Sequence, residues 1–535
     1  MNKGKHLFWI VLLVSFLIRF ATIKTGLPSE TMRLATYHPD ESITFYSLER
    51  MNPSKFDFYP GDSLYWGTFL VYLEGFTAKA MEFLGMIDLT GREGLKNNLR
   101  EADKLYISGR LIAVLFGIGC VYGMFLIAGL FFDRGWALAS AFLAGINYAF
   151  IYTSIFVKPD SIMLFWGLFS VYCSLLLVRT ERKKYYILSG IFAGLSAVSK
   201  YNGAIFCLFL FFAHLCLVYR HKKGTYNLKY LLLAALCSFG VFIIVNPYFI
   251  IRNSDAMRYM LGMAQKSNWP SNLIKGYANY FLYTLNIVMG LPLLILSIGG
   301  FIKFLEKFSL ERMIIFAFSL AYILWLGPAE GQAINYCLLL IPFFILFAVD
   351  YAARLWKKKI GRGIVTFVFL YTFCYSAYLV NFYAHSSTLK EASLWMSENI
   401  PAKSKIAISK NDTWTPPIIR SYNSPYRITE GGSSKAPLRE AFFSFLQIYG
   451  KGDYVLLSDT ECYLLAKKSC FNATNEFPIN EIFKNTKKVK VFRKEFNPFF
   501  VPFDNPHLFE LMWSSPAIYI LKPKATCAQV AKGII

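Results

Sequence analysis

Residues 37–42 read Tyr37-His38-Pro39-Asp40-Glu41-Ser42. Two adjacent carboxylates behind a proline, whose ring fixes the backbone ahead of them, offer a general base and a second acidic group in one turn. A solvated acidic turn is the plain alternative for any Asp-Glu pair, so the pair gains meaning from what else reaches the same level. Asp160 follows Lys158-Pro159, and Lys200 and Tyr201 form the tip of a short apolar hairpin. Arg110 sits where a long apolar run begins, and Arg19 lies inside the first such run. An ionisable residue in an apolar run is a functional candidate, although near the end of the run it can also snorkel to the surface. Cations gathered with carboxylates suit a phosphate, which the cations neutralise, next to an acceptor hydroxyl that a carboxylate deprotonates. Asp62 is a further candidate, or the cap of a helix starting near Ser63. Taken singly, each of these residues reads as an interfacial anchor or a helix cap; their coincidence on one side gives the group its weight.

A divalent metal ion is left open. Glu41, Asp62, Asp160 and His38 could furnish hard oxygen and imidazole ligands, but no spacing signature fixes a site, and His38 reads more readily as packed beside its proline. The 10 cysteines form no CxxC pair or zinc spacing. Seven of them fall inside apolar runs, where cysteine behaves as a small hydrophobe.

The elements that must position these residues follow from composition. Of 535 residues, 55% are hydrophobic, 18% aromatic and only 17% charged, and the mean hydropathy is +0.41. That excess excludes a soluble or a disordered chain. A bilayer core about 30 Å thick needs about 20 apolar residues per helix. On that rule spans fall near 7–24, 106–131, 136–156, 161–178, 185–198, 202–219, 230–250, 279–302, 313–327, 335–350 and 363–383, with the fifth and sixth forming a short hairpin. The expected fold is a polytopic α-helical membrane protein of about eleven transmembrane helices.

Net charge supports this topology. The +23 balance, 56 Lys+Arg against 33 Asp+Glu, does not imply nucleic acid, because most basic clusters lie in alternate loops that the positive-inside rule makes cytoplasmic. The clusters at Arg134, Arg179 to Lys184, Arg220 to Lys223 and Arg354 to Arg362 are examples. The long loop 25–105, the turns at Lys158 and Lys200, the segment 251–278 and everything after about 384 are then outside. Beyond 384 the apolar runs shorten to strand length at 405–409, 454–458, 488–493 and 517–521, with amphipathic helices at 388–399 and 438–449. The expected organisation is a transmembrane domain over 1–383 and a small extracytoplasmic α/β domain over 384–535.

With these motifs in order the chain resembles a family. An Arg in the first helix followed by His-Pro-Asp-Glu is similar to the GT-C superfamily of integral-membrane glycosyltransferases, in the branch of protein O-mannosyltransferases and lipid A aminoarabinose transferases. Leu105-Tyr106-Ile107-Ser108-Gly109-Arg110, Lys158-Pro159-Asp160, the stretch Gly194 to Tyr201 and Asn246-Pro247-Tyr248 fit the same pattern in the same order. The resemblance implies an inverting transferase that takes a sugar from a polyprenyl-phosphate donor at the outer membrane face. It implies Asp40 as catalytic base, supported by Glu41 and Asp160, and a glycan, lipid or protein as acceptor. One departure concerns the donor phosphate. Aminoarabinose-type members carry Lys-Pro-Pro-Leu in the first outer loop, whereas this chain has Phe58 to Trp66 with no lysine and one proline, so Lys200 first, then Arg110, or Lys55, become the cations that could replace that lysine, while Lys158, Tyr201, His38 and Arg19 are further substrate-binding candidates. The competing class is a polytopic lipid or sugar transporter or flippase. It would be expected to show pseudo-symmetric halves and deep ionisable residues, and this sequence shows no such halves.

Overall fold

A computed structural model describes residues 3–61, 64, 66–255, 257–258, 273–328, 334–384, 387–409, 415–431, 452–458, 479–493 and 516–524. The chain divides into two compact units. The first holds Met1–Ile23, Asp40–Asp88 and Leu105–Val380; the second holds Lys24–Pro39, Leu89–Lys104 and Asn381–Ile535.

The first unit is helical. Each of the eleven apolar windows contains helix, but uninterrupted length is rarer than hydropathy suggests. Among the described residues five helices are long and apolar enough to cross a membrane: Leu99–Ala128, Asp160–Thr180, Tyr201–His221, Leu228–Val245 and the helix that begins at Lys359. A sixth candidate is the pair Gly276–Met289 and Leu291–Glu306, bent by 115°. Several helices are therefore long and apolar enough to cross a membrane, and the figure of eleven is not confirmed.

The breaks have local causes. The window 136–156 splits because the Asn147 side chain turns back to cap a new helix, Tyr148–Tyr152, accepting from Ala149 N at 3.0 Å. Its amide also donates to Val288 O at 2.9 Å. The window 279–302 bends at Gly290, whose φ of 76° is open to glycine and strained for other residues. The window 202–219 opens with a tight turn, Tyr201–Phe206, before the helix Cys207–His221. By contrast Leu99–Ala128 runs unbroken for 30 residues without proline. Its glycines serve close packing: a Cβ on Gly119 would stand 2.5 Å from the Phe165 ring.

The second unit carries a five-stranded sheet: β1 Lys405–Ser409, β2 Arg427–Gly431, β3 Tyr454–Ser458, β4 Thr486–Phe492 and β5 Ile518–Pro523. The order is β2-β1-β3-β5-β4, with β1 parallel to β2 and β3, and β5 antiparallel to β3 and β4. The helix Thr388–Asn399 is capped by Ser387, which accepts from Leu389 N. Its Leu389 and Met396 pack with Ile406, Ile408, Leu456 and Ile520, and Tyr37 from the loop after the first helix joins the same core. Four strands lie at or within a few residues of the apolar runs that forecast them. β2 was not forecast because Arg-Ile-Thr-Glu-Gly holds no apolar run. The expected helix at 438–449 lies outside the described residues.

Candidate active site

The acidic turn is held by one of its own carboxylates. Glu41 is wholly buried. It accepts from Arg110 Nε at 2.9 Å and Nη2 at 2.7 Å, and from Val157 N at 2.9 Å. Arg110 Nη1 donates to Ile23 O at 3.0 Å, and the guanidinium lies 5.9 Å from the Phe156 ring centroid. A bidentate guanidinium–carboxylate pair is geometrically demanding. Breaking such a pair when buried costs about 3–5 kcal/mol, because one charge is left uncompensated. Glu41 and Arg110 thus pin three segments together: the start of the helix Glu41–Arg50, the helix Leu99–Ala128 and the turn before Asp160. Arg110 takes the part of a structural strut.

Asp40 is treated differently. Its side chain keeps 27% of its surface, and Lys158 Nζ stands 3.3 Å from Oδ2. Lys158 is itself buried, its ammonium 5.4 Å from the Tyr152 ring centroid. Two residues on, Asp160 begins the helix Asp160–Thr180 and accepts on Oδ1 from Lys200 Nζ at 2.7 Å. Asp160 is fully buried, and its Oδ2 has no hydrogen-bond partner among the described residues. The tripeptide Lys158-Pro159-Asp160 therefore joins two lysine–carboxylate pairs.

The hairpin tip that carries Lys200 is fastened to the outer loop. Tyr201 N donates to Trp66 O at 3.2 Å, and Thr68 N to Val198 O at 3.1 Å. Gly67 makes the approach feasible: at φ 132° a Cβ there would fall 2.3 Å from Val198 O. The Tyr201 hydroxyl donates to Leu64 O and accepts from Asn246 Nδ2 at 3.0 Å. Thr68 Oγ1 donates to Val245 O at 2.8 Å.

Asp40, Glu41, Arg110, Lys158, Asp160, Lys200 and Tyr201 thus lie in the first unit, tied by short-range contacts. Arg19 is fully buried elsewhere, where it donates to Ser154 Oγ at 2.9 Å, Ser15 O at 2.9 Å and Gly145 O at 2.8 Å. His38 falls with the second unit, buried, its carbonyl accepting from Thr36 Oγ1. Asp62 lies outside the described residues. Among the described residues no group of three or more His, Cys, Asp or Glu converges to hold a metal ion.

One buried carboxyl escaped the sequence. Glu74, on the helix Phe69–Phe83, is wholly buried and 2.6 Å from Ser108 Oγ. Its Oε2 would stand 3.2 Å from a Cβ on Gly109, the neighbour of Arg110. Burial raises this carboxyl to about 7, against a smaller lowering by the Ser108 hydrogen bond. A lone glutamate inside Phe-Leu-Val-Tyr-Leu-Glu-Gly-Phe was the signal available.

The model of the family described as Dolichyl-phosphate-mannose-protein mannosyltransferase matches residues 102–250, so the resemblance drawn from the motifs is met independently over that segment. No curated protein matches. The apo crystal structure of the Archaeoglobus fulgidus oligosaccharyltransferase is similar at 14% identity, covering 91% of this chain and 73% of that one, with a TM-score of 0.49. The crystal structure of ArnT from Cupriavidus metallidurans bound to undecaprenyl phosphate is similar at 12% identity, covering 97% and 98%, also with a TM-score of 0.49.

Proposed function

We propose that the chain is a glycosyltransferase that moves a sugar from a polyprenyl-phosphate donor to an acceptor hydroxyl on the outer face of the membrane, with Asp40 as general base. The observation that carries this is the division of labour within one Asp-Glu pair: Glu41 is buried and saturated by Arg110 and Val157, while Asp40 stays accessible beside the Lys158 ammonium. The family match supports it, since residues 102–250 include Arg110, Lys158, Asp160, Lys200 and Tyr201.

In the step so assigned, the acceptor O–H gives its proton to the Asp40 carboxylate as the oxygen attacks the anomeric carbon. The bond from that carbon to the phosphate oxygen breaks with inversion, and the polyprenyl phosphate leaves with the electron pair. Lys200 is the first cation assigned to the phosphate, and Lys158, 3.3 Å from Oδ2, orients Asp40. The leaving group needs only compensation of its charge, which fixed cations in a water-poor site supply.

Asp40→Asn tests this. Sugar transfer from a polyprenyl-phosphate donor should fall by roughly 10²–10⁴-fold, the usual contribution of a general base, with donor binding retained. Near-normal transfer by the folded variant would remove the assignment. Donor movement across the bilayer with no covalent transfer in the native protein would favour a flippase.

A further inference from the structure

The sheet of the second unit ends on a strand whose lysines enter no ion pair among the described residues. β4 is the edge of the sheet, and all its residues from Lys487 to Val491 are exposed. Lys487, Lys488 and Lys490 lie on it, Lys484 just before it, and Lys522 and Lys524 at the end of β5. Lys524 Nζ donates to Lys484 O at 2.8 Å, drawing the two ends of the cluster together. The ion pairs of this unit among the described residues are Lys96–Glu93, Lys104–Glu101, Lys390–Glu30 and Arg420–Glu430, and none involves these six lysines.

The register makes the arrangement costly. Lys487 and Lys522 are direct partners across the β4–β5 ladder, and like charges placed directly opposite destabilise a sheet. Edge lysines can serve to block unwanted strand pairing. That purpose asks for charge on β4 alone, yet Lys522 stands on the interior strand and Lys524 just past its end, where they add to the repulsion. Val489 at 39% and Val491 at 37% exposure are interleaved with the lysines. Val489 sits at the irregularity in the ladder between Lys488 and Lys490.

We propose that the β4 edge is a docking surface for anionic lipid headgroups. A layer of phosphates relieves the Lys487–Lys522 repulsion, and the two valines enter the interfacial region among the lysines. Long-range attraction of a basic segment to an anionic leaflet falls off within a Debye length and is screened by salt. A bilayer is favoured over a soluble polyanion because the patch is mixed, basic and apolar, and because its unit follows directly on the apolar helix Lys359–Ala384. This inference goes beyond the transfer reaction and does not depend on it.

The test uses the full chain in lipid nanodiscs, with Val489→Cys carrying a fluorophore in a background cleared of the exposed Cys207 and Cys374. Headgroup spin-labelled lipid should quench the fluorophore at least threefold more in discs containing anionic lipid than in zwitterionic discs. The difference should vanish at high salt, and in the quadruple variant K487Q/K488Q/K490Q/K522Q. The salt arm needs no substitution of the lysines, so it stands if that variant misfolds. Equal quenching in both discs would overturn the proposal. So would salt-insensitive quenching, or shielding by a soluble polyanion in detergent without any quenching in anionic discs.

Discussion

Asp40 and Glu41 are adjacent and chemically alike, and their surroundings separate them. Glu41 meets a bidentate guanidinium and a backbone N–H while buried, and so holds the turn; Asp40 keeps 27% of its side-chain surface with an ammonium 3.3 Å away, the surroundings on which its proposed role as general base rests. Glu74 adds a third carboxyl with a measurable signature. Its ordinary value of 4.5 is raised to about 7 by burial. Between those two values the folded chain holds a proton that the unfolded chain has released, so stability falls as pH rises from about 4.5 to about 7 and is level beyond. The shift corresponds to about 3 kcal/mol at most. Glu74→Gln, which mimics the protonated acid, should therefore lift the thermal midpoint in detergent at pH 8 and leave it nearly unchanged at pH 4.5. Parallel pH profiles for the variant and the native protein would show that the Glu74 carboxyl is not raised in the fold.

At the scale of elements, the site is made where helices begin and turns are fastened. Lys158 and Asp160 face different partners because Pro159 lies between them at the start of the helix Asp160–Thr180, and Lys200 reaches Asp160 because the hairpin tip is bound to the 64–68 loop at Trp66 and Thr68. Lys200 pairs with Asp160, and the proposed function gives it the donor phosphate as well. Lys200→Ala should weaken polyprenyl-phosphate binding by about 1.5–3 kcal/mol, the range for a hydrogen bond to a charged group. It should also lower stability, since a buried carboxylate loses its partner. Adding Asp160→Asn should restore the stability and not the binding, read by thermal unfolding and by donor titration of the same samples. Unchanged donor affinity in Lys200→Ala would move the phosphate to Lys158.

At the scale of the whole molecule, the alternating basic loops make a topological prediction. Ser54 and Thr225 are both exposed and are assigned to opposite sides of the membrane. In right-side-out cells, with interfering native thiols removed, Ser54→Cys should react with an impermeant thiol reagent and Thr225→Cys should not; labelling of position 225 would overturn the orientation. The helical class, the small C-terminal sheet and the residues that gather around Asp40 were legible in the sequence, because hydropathy and short motifs are local properties of a few neighbouring residues. β1 and β3 coincide with apolar runs, and Asp40, Glu41, Lys158, Asp160 and Lys200 could each be named from spacing and side. What only the tertiary structure decided is who pairs with whom. Arg110, a candidate phosphate ligand by type, is claimed by Glu41, 69 residues away; Arg19 donates from Nε and Nη1 to Ser154 and two carbonyls; and Glu74, inconspicuous in its helix, becomes a buried acid against Ser108. The breaks at Asn147 and Gly290 belong to the same class, for Asn147 also holds Val288 O. A charge in a sequence has only a type, whereas its partner and its dielectric surroundings come from segments far along the chain, and those determine whether it braces the fold or moves a proton.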